Sequence, residues 1–113
     1  MKLIKLRRGD QALIGFPAVL NGELIDIEKV DKMEFVMGEK KWTWPNDGTY
    51  DDNYFFLPIM QEESFRLEPG TILPIEGRCK MKDTDVWVKG AETDVYVRVI
   101  ESGSDTVFEA EEA

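Results

Sequence analysis

At 113 residues, with 42% hydrophobic and 11% aromatic side chains, the chain is large enough for one domain with a sizeable core and has the composition of a folded protein. It has no histidine and a single cysteine, Cys79, which excludes an internal disulfide, Cys/His zinc sites and every catalytic scheme built on imidazole. Its net charge of −9 is uneven: residues 1–45 carry 8 basic and 7 acidic side chains, and residues 46–113 carry 6 and 16, which argues against a nucleic-acid backbone as partner and suits a basic protein surface.

Lys2, Lys5, Arg7 and Arg8 open the chain, but Asp10 follows and no apolar segment of signal-peptide or membrane-spanning length comes after them. Cytoplasmic synthesis without membrane contact is the expectation. Lys2 to Leu6 alternates weakly and predicts a first strand, ended by Arg8-Gly9-Asp10. Gln11 to Leu20 is a longer apolar run in which Pro17 marks a bend or an edge. Asn21-Gly22 is a two-residue hairpin signal, because both residues accept positive φ, and Glu23 to Ile27 is the return strand. Val30 to Met37 alternates again, with Met33, Phe35 and Met37 on one side and Lys32 and Glu34 on the other.

Gly38-Glu39 turns the chain into Lys40 to Trp44, where Trp42 and Trp44 share a face. Pro45 to Gly48 is turn chemistry, and Asp51-Asp52-Asn53 extends a polar loop. Asn53 to Met60 is dense in apolar residues and predicts a central strand covered on both faces. Gln61 to Ser64 is the only helix-like piece and predicts a single turn linking two sheets, with Phe65 and Leu67 anchoring the crossing. After Leu67-Glu68-Pro69-Gly70 comes the clearest alternation in the chain. From Ile72 to Lys82 the positions Leu73, Ile75, Cys79 and Met81 are apolar or small, while Glu76, Arg78, Lys80 and Lys82 are charged. Asp83-Thr84-Asp85 supplies a turn, Val86 and Val88 resume the pattern, and Val95, Val97 and Val99 repeat it.

Seven to nine short strands with turns between them predict an all-β fold, a two-layer antiparallel β-sandwich of immunoglobulin-like plan over residues 1–100. A closed barrel has the same pattern. Residues 101–113, with five acidic and no basic side chains, form an acidic tail, partly disordered or adding a short edge strand at Thr106 to Phe108.

Few residues suggest chemistry. Asn46 to Asn53 holds three carboxylates and two amides, which could tempt a calcium ion, but turns favour the same residues and the spacing of a helix-loop-helix site is missing, so no metal is assigned. Glu62 and Glu63, with Asp83 and Asp85, do not imply a cleft, and Cys79 sits on an apolar face as a buried, inert thiol. No catalytic residue and no cofactor follow. Glu76, Arg78 and Lys80 are expected to face cross-strand charges such as Asp94 or Arg98. Trp42, Trp44, Tyr50 and Tyr54 cluster around the polar loop, either as core or as an exposed aromatic surface for a protein or a sugar ring.

The stretches Lys5-Leu6-Arg7-Arg8-Gly9-Asp10, Leu20 to Ile27 (Leu-Asn-Gly-Glu-Leu-Ile-Asp-Ile), Val30-Asp31-Lys32-Met33-Glu34-Phe35 and Leu67-Glu68-Pro69-Gly70 resemble, in order and spacing over residues 2–100, the N-terminal immunoglobulin-like domain of baseplate upper proteins. These occur in tailed phages and prophages of Gram-positive bacteria. Thr71-Ile72 stands where that family has an aromatic residue soon after Pro-Gly, and the family domain opens a longer chain, so a free-standing relative is implied. The resemblance implies a virion structural protein, made in the host cytoplasm and placed in the tail, neck or baseplate. Such a protein works through contacts with other virion proteins or with itself as a homo-oligomer. The interface candidates are Arg7, Arg8, Trp42, Trp44, Tyr50 and Tyr54, with the basic N-terminal stretch meeting the acidic half of a neighbour. The rival reading is a carbohydrate-binding module with Trp42, Trp44 and Tyr50 as its platform.

Overall fold

Phe16, Phe35 and Phe55 meet in the centre of the molecule, with ring centroids 5.1 Å (Phe16–Phe35) and 5.0 Å (Phe35–Phe55) apart, and the sheets are arranged around them. A computed structural model describes residues 2–82 and 89–103. The strands are β1 (Lys2–Arg7), β2 (Ala12–Phe16), β3 (Val19–Leu20), β4 (Glu23–Leu24), β5 (Val30–Met37) and β6 (Lys40–Trp44). They continue with β7 (Thr49–Asp51), β8 (Tyr54–Ile59), β9 (Ile72–Pro74), β10 (Glu76–Met81), β11 (Lys89–Ala91) and β12 (Val95–Ile100). An α-helix, α1 (Gln61–Phe65), follows β8, and a 3-10 turn at Ile27–Lys29 precedes β5.

One layer has the order β11-β10-β5-β6 and the other β2-β8-β7, both antiparallel throughout. Phe35 of β5 contacts Phe16 of β2 and Phe55 of β8, so the layers pack face to face. The result is an all-β sandwich in which a strand from the start of the chain pairs a late one. Here β1 lies parallel to β12, and β9 lies antiparallel on the other side of β12.

Twelve segments arise from fewer runs. β9 and β10 are one run broken only at Ile75, and β11 and β12 are its hairpin partner broken at residues 92–94. Gly77 faces Ala91 and Pro74 faces Tyr96, so three steps on one strand are matched by five on the other. The two extra residues form a bulge, with Asp94 in the left-handed region at φ 51°. Thr93, buried inside it, donates its hydroxyl to the Ile75 carbonyl (2.6 Å) and accepts the Val95 amide (3.3 Å). The ribbon can therefore lend β10 and β11 to one sheet while β9 and β12 hold β1.

The turns follow the local chemistry. Asn21 (φ 54°) and Gly22 (φ 83°) are both left-handed, as a two-residue type I′ hairpin requires. Asp52 (φ 48°) and Asn53 (φ 68°) do the same between β7 and β8 without a glycine. Pro17-Ala18 ends β2 and lets the chain leave β8, so the apolar run from Gln11 to Leu20 is divided. β3 then pairs Val19 with Glu92 through two amide bonds of 2.8 Å.

Strand β8 is central, between β2 and β7, but it is not covered on both faces as its composition suggested. Phe55, Leu57 and Ile59 are fully buried, whereas Tyr54, Phe56 and Pro58 point outward, because a two-layer fold has no third layer to cover them. The charged face of β10 also finds other partners than expected. Arg78 pairs with Glu34 (2.7 Å) and Lys80 with Asp31 (3.6 Å), not with Asp94 or Arg98, because β10 pairs with β5 there and not with β12. Helix α1 is fixed by Ser64, whose buried hydroxyl accepts the Gly9 amide (2.8 Å) and lies 2.9 Å from the Asp10 carbonyl. The expected turn at 83–85, Val86, Val88, and the edge strand at 106–108 lie outside the described residues.

Replacing Thr93 by valine keeps the shape but leaves a buried carbonyl and an amide without partners. The expected cost is ~1–3 kcal/mol of unfolding free energy, read from urea denaturation, and an unchanged midpoint would show that the bulge holds without the hydroxyl.

Candidate functional site

The candidate side chains separate into core, tether and surface. Trp42 is 1% exposed and its indole N–H donates to the Pro58 carbonyl (2.7 Å), which makes it a core residue bridging β6 to β8. It offers no ring to an interface or a sugar, a correction to its candidacy that follows from its facing the opposite sheet. Trp44 is half-buried, packed edge-on against Phe55 (5.7 Å) and Tyr50 (6.4 Å). Trp42, Trp44 and Tyr50 therefore do not form a flat platform. Burial, then the nearby charges of Asp26 and Asp52, hold the Tyr50 phenol above its ordinary range. Tyr54 is 39% exposed, stacks on Phe56 (6.3 Å, 27°) and carries the Lys2 ammonium 5.6 Å above its ring.

Arg8 is a tether. Its guanidinium donates to Glu101 (2.9 Å) and to the Phe65 carbonyl (3.0 Å) and sits 5.8 Å from the Phe65 ring centre. Gly9 beside it has φ +87°, and a Cβ there would lie 2.5 Å from the same ring. These contacts occupy Arg8 within its own chain, against its candidacy as an interface residue, and join the end of β1 to α1 and the end of β12. Arg7 is exposed on β1.

The polar loop is dispersed rather than gathered. Asp47 accepts the Thr43 amide (2.8 Å), Asp51 lies in β7 and Asp52 forms the hairpin turn. Among the described residues, no group of three or more His, Cys, Asp or Glu side chains could hold a metal ion.

Two outward faces remain. On the layer β2-β8-β7, Leu13 pairs with Pro58 and Gly15 with Phe56, and Tyr54 continues the row. Leu13 is 67% exposed and Met60, just beyond β8, is exposed too. The outward positions of β2 and β8 carry no charge in a chain that is 33% charged. At the rim of this face Lys40 of β6 pairs with Glu63 of α1, whose carboxylate also accepts the Met60 amide (2.9 Å).

The other face runs across β1, β12 and β9. In register across it stand Leu3, Tyr96 and Pro74, then Lys5, Arg98 and Ile72, then Arg7 and Ile100. Lys5, Arg7 and Arg98 are exposed, and none of the ion pairs among the described residues involves them. On the adjoining half of the same surface, over β10, β5 and β6, Arg78 and Lys41 pair with Glu34 and Lys80 with Asp31, while Lys32 stays outside these pairs. Burial acts to raise Glu34, but the bonds and charges of Lys41 and Arg78 outweigh it and hold the carboxyl below its ordinary range. Lys5 and Arg98 were not among the sequence candidates. The signal that could have found them is the alternation of Leu3, Lys5 and Arg7, which pairs with that of Tyr96, Arg98 and Ile100 only once β1 is known to lie beside β12.

Glu63 is likewise held below the ordinary carboxylate range: burial raises it, but Lys40 and the Met60 amide prevail. A depressed folded pKa stabilises fully above the unfolded value and the gain disappears as pH falls through the folded value. Glu63→Gln should therefore lose ~0.5–1 kcal/mol at neutral pH and little in acid, so the gap in thermal midpoint between the variant and the parent should narrow on acidification. A gap independent of pH would assign the effect to packing.

Compared with protein-family models, with curated proteins and with solved structures, the chain matches none.

Proposed function

We propose that the chain is a structural subunit of a tailed-phage or prophage particle, of the tail, neck or baseplate, that works by protein–protein assembly and not by catalysis. The observation that supports this reading is the uncharged outward face of β2 and β8, where Leu13, Tyr54 and Met60 are exposed beside Phe56 and Pro58. An antiparallel sheet with a wet face ordinarily alternates apolar inward and polar outward, and a contiguous apolar exception marks a surface that another protein covers. The phage assignment itself comes from the resemblance of residues 2–100 to the baseplate family.

Mass spectrometry of purified phage particles from a strain carrying the gene tests the assignment. The chain is expected in intact tails at a fixed ratio to the other tail proteins, and its absence from infectious particles would overturn the reading. The surface has its own test. Leu13→Glu with Met60→Glu changes two exposed positions, so thermal stability should shift little, while incorporation into particles should drop at least ~10-fold. Normal incorporation of the folded variant would show that this face is not the one covered.

A further inference from the structure

We infer that the outer face of β1, β12 and β9 docks the acidic end of a second copy of this chain, the tip of the hairpin between β7 and β8. The inference rests on the assembly reading and names the partner surface.

The face combines three cations that join no ion pair among the described residues, Lys5, Arg7 and Arg98, with exposed apolar surface from Leu3 and from Ile72, which is 56% exposed. Charge on an edge strand often serves only to discourage uncontrolled strand pairing. That explains Lys5 and Arg7 on β1, which is an edge. It does not explain Arg98, because β12 is the middle strand of the three. Nor is Arg98 matched as Arg78 and Lys80 are on the adjoining strands, where Glu34 and Asp31 lie beside them. Cations left unbalanced around apolar side chains form a surface complementary to an acidic, partly apolar one.

The chain itself carries such a surface. Asp51 and Asp52 close the hairpin between β7 and β8, and no ion pair among the described residues involves them. Asp26 is close enough to act on the same Tyr50 phenol as Asp52, and its own pairing with Lys29 spans 4.0 Å. With a net charge of −9, two copies repel unless the basic face of one meets this end of the other. The two surfaces belong to different sheets, β1 on one layer and β7 at an edge of the other. A contact between two different patches either runs head to tail, building a ring or a filament, or is made twice in a two-fold pair, and the molar mass in solution separates the two.

Light scattering over a concentration series, at low ionic strength and at ~0.5 M salt, tests this with two variants. One is Lys5→Glu with Arg98→Glu. The other is Asp51→Lys with Asp52→Asn, asparagine being chosen because position 52 has φ 48° and asparagine tolerates it. The parent should associate at low salt and dissociate at high salt. Each variant alone, with its fold verified by circular dichroism, should associate at least ~10-fold more weakly. An equimolar mixture should recover association in a 1:1 ratio, because the basic tip of one variant meets the acidic face of the other and the native pairing survives in the alternate contact. Association of the parent that neither variant weakens, or a mixture that stays monomeric, overturns the inference while leaving incorporation into particles intact. A parent that is monomeric throughout overturns the second copy as occupant, and the particle measurement then judges the assembly reading separately.

Discussion

The fold depends on one bent ribbon. A single run, from Ile72 to Met81, must pair with β12 over its first part and with both β5 and β11 over its second, and its hairpin partner absorbs the change through two extra residues at 92–94. A bulge in the middle of a ribbon exposes backbone groups that the ladder would otherwise satisfy. Thr93 resolves this by bonding across to Ile75 and forward to Val95, and Glu92 is taken up by Val19 of the short β3–β4 hairpin. Because the ribbon turns, β12 is free on its outer side to accept β1 in parallel. That pairing completes the cover over Leu6, Val97 and the phenylalanine centre.

The same bend divides the outer surface electrostatically. Over β10, β5 and β6, Arg78, Lys41 and Lys80 find carboxylates on neighbouring strands at 2.7–3.6 Å, and Lys32, opposite Lys80, joins no ion pair among the described residues. Over β9, β12 and β1 the register brings cations next to cations, Lys5 beside Arg98, with apolar residues filling the rows between. Like charges directly across a sheet are unfavourable by themselves. The carboxylates of Asp51 and Asp52 stand on the other layer, at the end where Lys2 of β1 lies over Tyr54.

The aromatic residues illustrate why side chains adjacent in sequence can have different roles. Trp42 and Trp44 occupy one face of β6, yet Trp42 donates to Pro58 towards the end of β8, whereas Trp44 packs edge-on against Phe55 at its start and against Tyr50 of β7. Arg7 and Arg8 differ for the same kind of reason. A strand position leaves Arg7 on the surface, and the next residue, entering the turn at Gly9, is drawn into Phe65 and Glu101.

The sequence by itself determined the class of the fold and the inward set of most strands. Alternation with period two marks Met33, Phe35 and Met37, and Ile75 and Cys79, and the Asn-Gly pair specifies its hairpin through backbone geometry alone. These are local properties, decided by which atoms fit a pleat or a left-handed turn. Which strand lies beside which was decided only in three dimensions. Pairing is a long-range choice between strands of similar composition, so nothing within β10 states that its cations meet β5, and nothing within β1 states that it runs parallel to β12. The candidate surface has the same origin. Lys5 and Arg98 are 93 positions apart and become one site only because the bulge at 92–94 leaves the outer side of β12 open to the start of the chain.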